Sequence, residues 1–214
     1  MAIEFYGIDL SPFTMPVELQ LDMKGVDYRR IVPTRDVLFS DEFGVMNPMR
    51  KVPLLVVDGT PVAESQVIGE LVEELFPEPS LLPESPLERA RVRMISTVTN
   101  HYVATPGVKL FSNKRDAKSE DIHADSIALM ARGLGALEEL IAPGPYAIGE
   151  TRTVADCTLA VCLFFASRVL DAMGFSALPE WGAKTTAYFE AVKKDADIAR
   201  CFATMDAAAA AIPR

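Results

Sequence analysis

Four prolines fall in the ten residues Pro77-Glu-Pro-Ser-Leu-Leu-Pro-Glu-Ser-Pro86, and they divide the chain. Each fixes its own φ and removes a backbone donor, so neither a helix interior nor a central strand survives that spacing. Residues 78–86 therefore read as a linker between a domain of residues 1–77 and a domain of residues 87–214. Half of the 214 residues are hydrophobic, ample for a real core.

Ahead of the linker the pattern changes from segment to segment. Residues 2–7 alternate apolar and polar and read as a strand. Ser11-Pro12 opens a helix, with Ser as N-cap and Pro at the first helical position, and Lys24-Gly25 closes it. Residues 27–32 read as a second strand and 36–45 as a short polar helix. The run Val52-Pro-Leu-Leu-Val-Val-Asp-Gly59 ends in a hairpin signal, so residues 60–63 form a fourth, antiparallel strand. A helix over residues 64–76 follows. The order β-α-β-α-β-β-α joins a parallel βαβ unit to an antiparallel hairpin, giving a mixed sheet with helices on its faces.

Beyond the linker everything is helical. One helix runs over residues 86–111, with a kink expected at Pro106. Another runs over 118–142, with Ile127, Met130, Leu134, Leu137 and Leu140 at helical spacing. Thr153-Val-Ala-Asp156 is a capping pattern ahead of a helix to about residue 173, apolar nearly all round and so central in its bundle. Segments 179–193 and 195–211 complete the set. Cys157, Cys162 and Cys201 are an odd number without metal spacing and read as buried filler in a reduced, cytoplasmic setting. Trp181 reads as a core residue. No apolar run reaches membrane-spanning length, and no basic-plus-apolar signal opens the sequence.

The net charge is −9, which argues against a nucleic-acid partner. Residues 1–78 carry −8 of it, with only six Lys or Arg against fourteen Asp or Glu. Arg50-Lys51 stands out as a basic pair just before Val52-Pro53. A helix opening at Glu64-Ser65 presents free N–H groups and a positive dipole end. An extended edge beside an anion cradle suits a small peptide that carries carboxylates.

An α/β half, a proline-rich linker and an all-α half together resemble the cytosolic glutathione S-transferase superfamily over the whole chain. The Ser11-Pro-Phe-Thr14 turn, the Val52-Pro53 strand entry, the Glu64-Ser65 helix start and the Thr153–Asp156 box carry the resemblance. It implies an α/β thioredoxin-like N-terminal domain plus an all-α C-terminal helical bundle, with Pro53 in a cis peptide. It implies glutathione as co-substrate, held by Arg50, Lys51, Val52, Pro53, Glu64 and Ser65, with no metal. Ser11 matches the hydroxyl that activates the thiol in serine-type classes, with Thr14 as runner-up and Tyr6 as the tyrosine-class candidate. A free thiol is mostly protonated at neutral pH, and a hydroxyl donor at a helix N-terminus favours its ionised form. His101, Tyr102, Thr105, Lys109 and Phe111 would line an electrophile pocket. A homodimer using residues 64–111 is implied as well. The first half has no cysteine, which argues against the omega class. The zeta class, which isomerises maleylacetoacetate, carries Ser-Ser-Cys in the first turn, and Leu10-Ser11-Pro12 departs from it. The expected activity is glutathione transfer to a small hydrophobic or aromatic electrophile. A glutathione-dependent isomerase or lyase, or a non-catalytic binding protein on the same scaffold, is the alternative.

Overall fold

Asp58 and Gly59 both take positive φ, 46° and 83°. This is the type I′ hairpin geometry, whose twist matches that of the flanking strands. The turn joins β3 (Leu54–Val57) to β4 (Thr60–Ala63), with Val57 opposite Thr60 and Leu54 opposite Ala63. β1 (Ile3–Tyr6) pairs antiparallel with β3, Phe5 opposite Leu55. On its other side β1 pairs parallel with β2 (Arg29–Ile31), Phe5 opposite Arg30. The order is β2-β1-β3-β4, the mixed sheet that the sequence predicts, and α1 (Thr14–Met23) is the parallel crossover.

The computed structural model describes residues 1–115, 120–172, 174 and 179–211. It divides into two compact units, Met1–Ser80 and Leu81–Arg214. In the first, Ile3, Phe5 and Leu55 pack against Val17 and Leu21 of α1 and Ile68 and Val72 of α4 (Ser65–Leu75). Leu54 and Val56, on the opposite face of β3, pack against Phe43. Both faces of β3 are covered, so its residues are continuously apolar rather than alternating. Burying each such side chain contributes about 1.5–3 kcal/mol.

The expected helix over 36–45 is two, α2 (Arg35–Phe39) and α3 (Asp41–Met46). Ser40 divides them. It stays extended, and its Oγ accepts from Phe43 N at 3.1 Å, capping the second helix as Thr34 caps the first. A serine followed by Asp41-Glu42 is an N-terminal signature that a reading by hydrophobic period passes over.

The second unit holds α5 (Pro86–Thr99), α6 (Thr105–Arg115), α7 (Glu120–Leu140), α8 (Val154–Phe164), α9 (Leu170–Ala172), α10 (Ala183–Val192) and α11 (Ala196–Ala210). A π-helical turn, Asn100–Ala104, joins α5 to α6, and a second, Phe165–Val169, joins α8 to α9. The interruption expected at Pro106 therefore takes the form of a widened turn just ahead of it. Thr105 N–H reaches back five residues to Asn100 O. Proline has no donor and crowds the carbonyl four residues back, and a wider turn accommodates both. The expected starts and ends at Lys118 and Met173 lie outside the described residues.

α8 is buried on all sides, as its composition predicts. Asp156 in its first turn accepts from Ala147 N at 2.7 Å, Thr153 N at 2.8 Å and Thr153 Oγ1 at 3.0 Å. Burial pushes its carboxyl up to about 6 against the pull of those donors. The three cysteines are buried, and burial pushes the Cys162 thiol up. Trp181 is only half-buried, packed edge-to-face on Phe189 at 4.9 Å, so it sits at the rim rather than in the core. Among the described residues no helix is long and apolar enough to cross a membrane, and no His, Cys, Asp and Glu cluster suits a metal ion.

Candidate active site

The chain leaves β1 through Gly7, whose N–H bonds Ile31 O at 3.0 Å. It turns between Ile8 and Ser11, where Ser11 N donates to Ile8 O at 3.0 Å. Ser11 Oγ then accepts from Phe13 N at 3.3 Å and Thr14 N at 3.2 Å, and Ser11 O accepts from Met15 N at 3.1 Å. These are the bonds of an N-cap, although regular helix begins only at Thr14. The half-buried hydroxyl accepts twice and donates to no described residue, so its proton is uncommitted at the positive end of α1.

Thr14 is fully buried, and its Oγ1 has no hydrogen-bond partner among the described residues. Its methyl lies against Gly7. Tyr6 is half-buried, donates to Glu4 Oε2 at 3.4 Å and meets Phe43 edge-to-face. Burial, then the charge of Glu4, push its phenol up, which leaves it a poorer acid.

Val52–Pro53 is a cis peptide, as the resemblance implies, and leads into β3. The approach to it is built by Asn47. Its Nδ2 donates to Lys51 O at 2.8 Å and its Oδ1 accepts from Met49 N at 3.0 Å. Asn47 is buried and was not among the expected site residues; the Asn47-Pro48 dipeptide is the turn signal that marks it. Arg50 takes φ 51° and turns its guanidinium back on the preceding helices. Nη1 donates to Phe39 O at 2.6 Å and to Ser40 O, and Nη2 reaches Asp41 Oδ1 at 3.4 Å. Gly44 leaves room for it, since a Cβ there would stand 2.6 Å from Nη2. Of the basic pair, Lys51 is exposed and pairs with no described carboxylate, whereas Arg50 is committed to the loop.

β4 ends at Ala63, and Glu64 turns the chain into α4 with φ 71° and ψ 116°. A non-glycine residue in that region marks a place where the surrounding structure overrides local preference. The Glu64 side chain makes no capping bond to α4. Glu64 is exposed and Ser65 half-buried at the helix start.

The candidates of the second unit have the following surroundings. His101 is exposed. Tyr102, in the first π-helical turn, packs against α7, under the Arg132 guanidinium at 5.9 Å and against Gly133, where a Cβ would stand 3.0 Å from Tyr102 O. Thr105 Oγ1 is spent on Asn100 O at 2.8 Å. Lys109 is exposed. Phe111 meets Phe165 of the second π-helical turn at 6.1 Å.

Residues 5–80 match the glutathione S-transferase N-terminal domain, and residues 120–191 match the glutathione S-transferase C-terminal domain. The chain is 35% identical over 165 residues to maleylacetoacetate isomerase of Rattus norvegicus, covering 72% of this chain and 74% of that one. It is 34% identical over 171 residues to a probable maleylacetoacetate isomerase of Caenorhabditis elegans, covering 76% and 78%. Among solved structures it is similar to maleylacetoacetate isomerase from Anaeromyxobacter dehalogenans, which has GSH bound in its active site. The TM-score is 0.73 at 28% identity over 94% of both chains. A thioredoxin-like α/β unit followed by a helical one, matched at this level, places the chain in the glutathione S-transferase family.

Proposed function

We propose that this chain is a glutathione-dependent isomerase that acts on a cis double bond conjugated to a carbonyl. The observation that carries the reading is the 35% identity to the rat maleylacetoacetate isomerase over 72% of the chain. The thiolate adds to one alkene carbon while the π electrons move to the carbonyl oxygen. The former double bond rotates, and expulsion of the thiolate restores the alkene as the trans isomer. Glutathione is regenerated, so nothing is oxidised or reduced. In this reading Ser11 donates to the sulfur, with the positive end of α1 adding its dipole. The Val52 backbone pairs with the tripeptide ahead of Pro53. Glu64 and Ser65 hold the γ-glutamyl end, and Lys51 faces the glycine carboxylate. Arg50 shapes the loop from which Lys51 extends.

Conjugation of glutathione to a small hydrophobic or aromatic electrophile is the second reading. The departure of Leu10-Ser11-Pro12 from the Ser-Ser-Cys of the zeta turn favours it, and so does 41% identity over 103 residues to a probable glutathione S-transferase of Nicotiana tabacum. One experiment separates them. Maleylacetone and 1-chloro-2,4-dinitrobenzene are each supplied with glutathione, and products are followed by absorbance. Trans product with glutathione unconsumed supports isomerisation. Consumption of glutathione with the aromatic chloride alone supports conjugation. No turnover, with glutathione still bound by calorimetry, points to the binding protein.

A further inference from the structure

The turn that carries Ser11 is gripped from a neighbouring strand. Arg30 sits in the middle of β2, opposite Phe5. Its guanidinium reaches two elements at once. Nε and Nη2 donate to the two carboxylate oxygens of Glu18 on α1, the second at 3.1 Å, and Nη2 also donates to Asp9 Oδ1. The side chain of Glu18 is only 12% exposed, and that of Arg30 27%. A side-on fork against a carboxylate fixes angle as well as position. Tyr28 extends the cluster, with its hydroxyl 3.4 Å from Glu18 and 2.9 Å from Asp22. The adjacent Arg29 does something else. Its exposed guanidinium pairs, among the described residues, with Glu4.

Asp9 lies two residues before Ser11, inside the turn closed by the Ser11 N–H to Ile8 O bond. It is therefore the side chain by which that turn is held. Its charge also matters. A carboxylate on the turn that carries Ser11 would disfavour a forming thiolate there, and a paired arginine cancels it.

We propose that Arg30 is a positioning residue: through Asp9 and Glu18 it locks the 8–13 loop onto α1, so that the Ser11 hydroxyl is held at the helix start with the Asp9 charge neutralised. This rests on the reading that Ser11 serves the glutathione thiol.

The test has two readouts. Amide hydrogen exchange is measured in Arg30→Met, in Asp9→Ala and, as control, in Arg29→Met. Ser11, Phe13 and Thr14 amides should exchange roughly tenfold faster or more in the first two and at the wild-type rate in the control. Thiolate absorbance of bound glutathione is titrated in wild type, Arg30→Met and Arg30→Lys. The midpoint should rise by about one unit in Arg30→Met and recover partly in Arg30→Lys, which keeps the charge without the fork. Unchanged exchange overturns the proposal, and so does faster exchange with an unmoved midpoint. Should Arg30→Met fail to fold, Asp9→Ala decides by exchange alone, because it severs only the anchor of the loop. A wild type that binds no glutathione sinks the glutathione reading, while the exchange comparison still decides whether Arg30 holds the loop.

Discussion

Thr14 packs its methyl group directly on Gly7, so that a Cβ at position 7 would overlap Thr14 Cγ2 and stand 2.9 Å from Phe5 Cε1. The end of β1 and the start of α1 approach this closely only because residue 7 has no side chain. Gly7→Ala should destabilise the first unit by about 1–3 kcal/mol, the usual range for overpacking. Thr14→Ser removes the offending methyl, so the double variant should recover part of that loss. Denaturant midpoints of the two single variants and the double give the coupling. Strict additivity would mean that the two residues do not meet.

Ser11 caps the start of α1 and, in the proposed function, donates to the thiol, and the two roles are separable. Ser11→Ala should lose about 1 kcal/mol of stability, and Ser11→Gly only a few tenths. Turnover should fall alike in both, because neither has a hydroxyl. The pH–rate profile should move upward, since each unit of lost thiolate stabilisation is about 1.4 kcal/mol. Full activity in Ser11→Gly would reduce the residue to a cap and shift attention to Thr14.

Ser65→Ala should weaken glutathione binding roughly tenfold or more, the loss of one hydrogen bond to a carboxylate at about 1.5–3 kcal/mol. Calorimetry reads it, and an unchanged dissociation constant would remove Ser65 from the site.

Asp156 should make stability depend on pH with a defined sign. Its folded carboxyl, pushed up to about 6 from 3.8, binds a proton more tightly than the unfolded chain does. Stability contributed by the protonated form is therefore lost as pH rises from about 4 to about 6, and the dependence is flat above. The full excursion is about 3 kcal/mol. Denaturation of wild type and Asp156→Asn across this range isolates it. A wild-type advantage that grows with pH would reverse the assignment.

Lys24 and Glu73 form a buried pair at 2.9 Å, with side chains 0% and 8% exposed. Lys24 Nζ also donates to Phe76 O and Pro79 O, both at 2.8 Å, and so ties the end of α4 and the chain beyond it to α1. Lys24→Met should cost about 3–5 kcal/mol, because it takes the counter-charge from a buried carboxylate and leaves it the neutral donor Gln20 Nε2 at 2.9 Å. Lys24→Met with Glu73→Leu should cost less than the single change. Chemical denaturation gives the comparison.

Much of this protein is legible in its residues. Hydrophobic period and punctuation are local properties, so the Asp58-Gly59 hairpin, the mixed sheet and the all-round burial of α8 follow from the chain order alone. The Ser11 cap was legible for the same reason, since it acts on amides two and three residues away. What the sequence could not decide is where long side chains spend their charges. Arg50 and Lys51 are neighbours of like charge, yet one is consumed by the carbonyls of Phe39 and Ser40 and the other is left exposed. Arg29 and Arg30 diverge in the same way, because successive residues of a strand point to opposite faces and only one face meets α1. The sequence puts Tyr102 and Phe111 on one expected helix without saying what each meets, and in the structure the first packs under Arg132 and the second on Phe165. Those outcomes depend on which elements come together in space, and only the tertiary fold sets that.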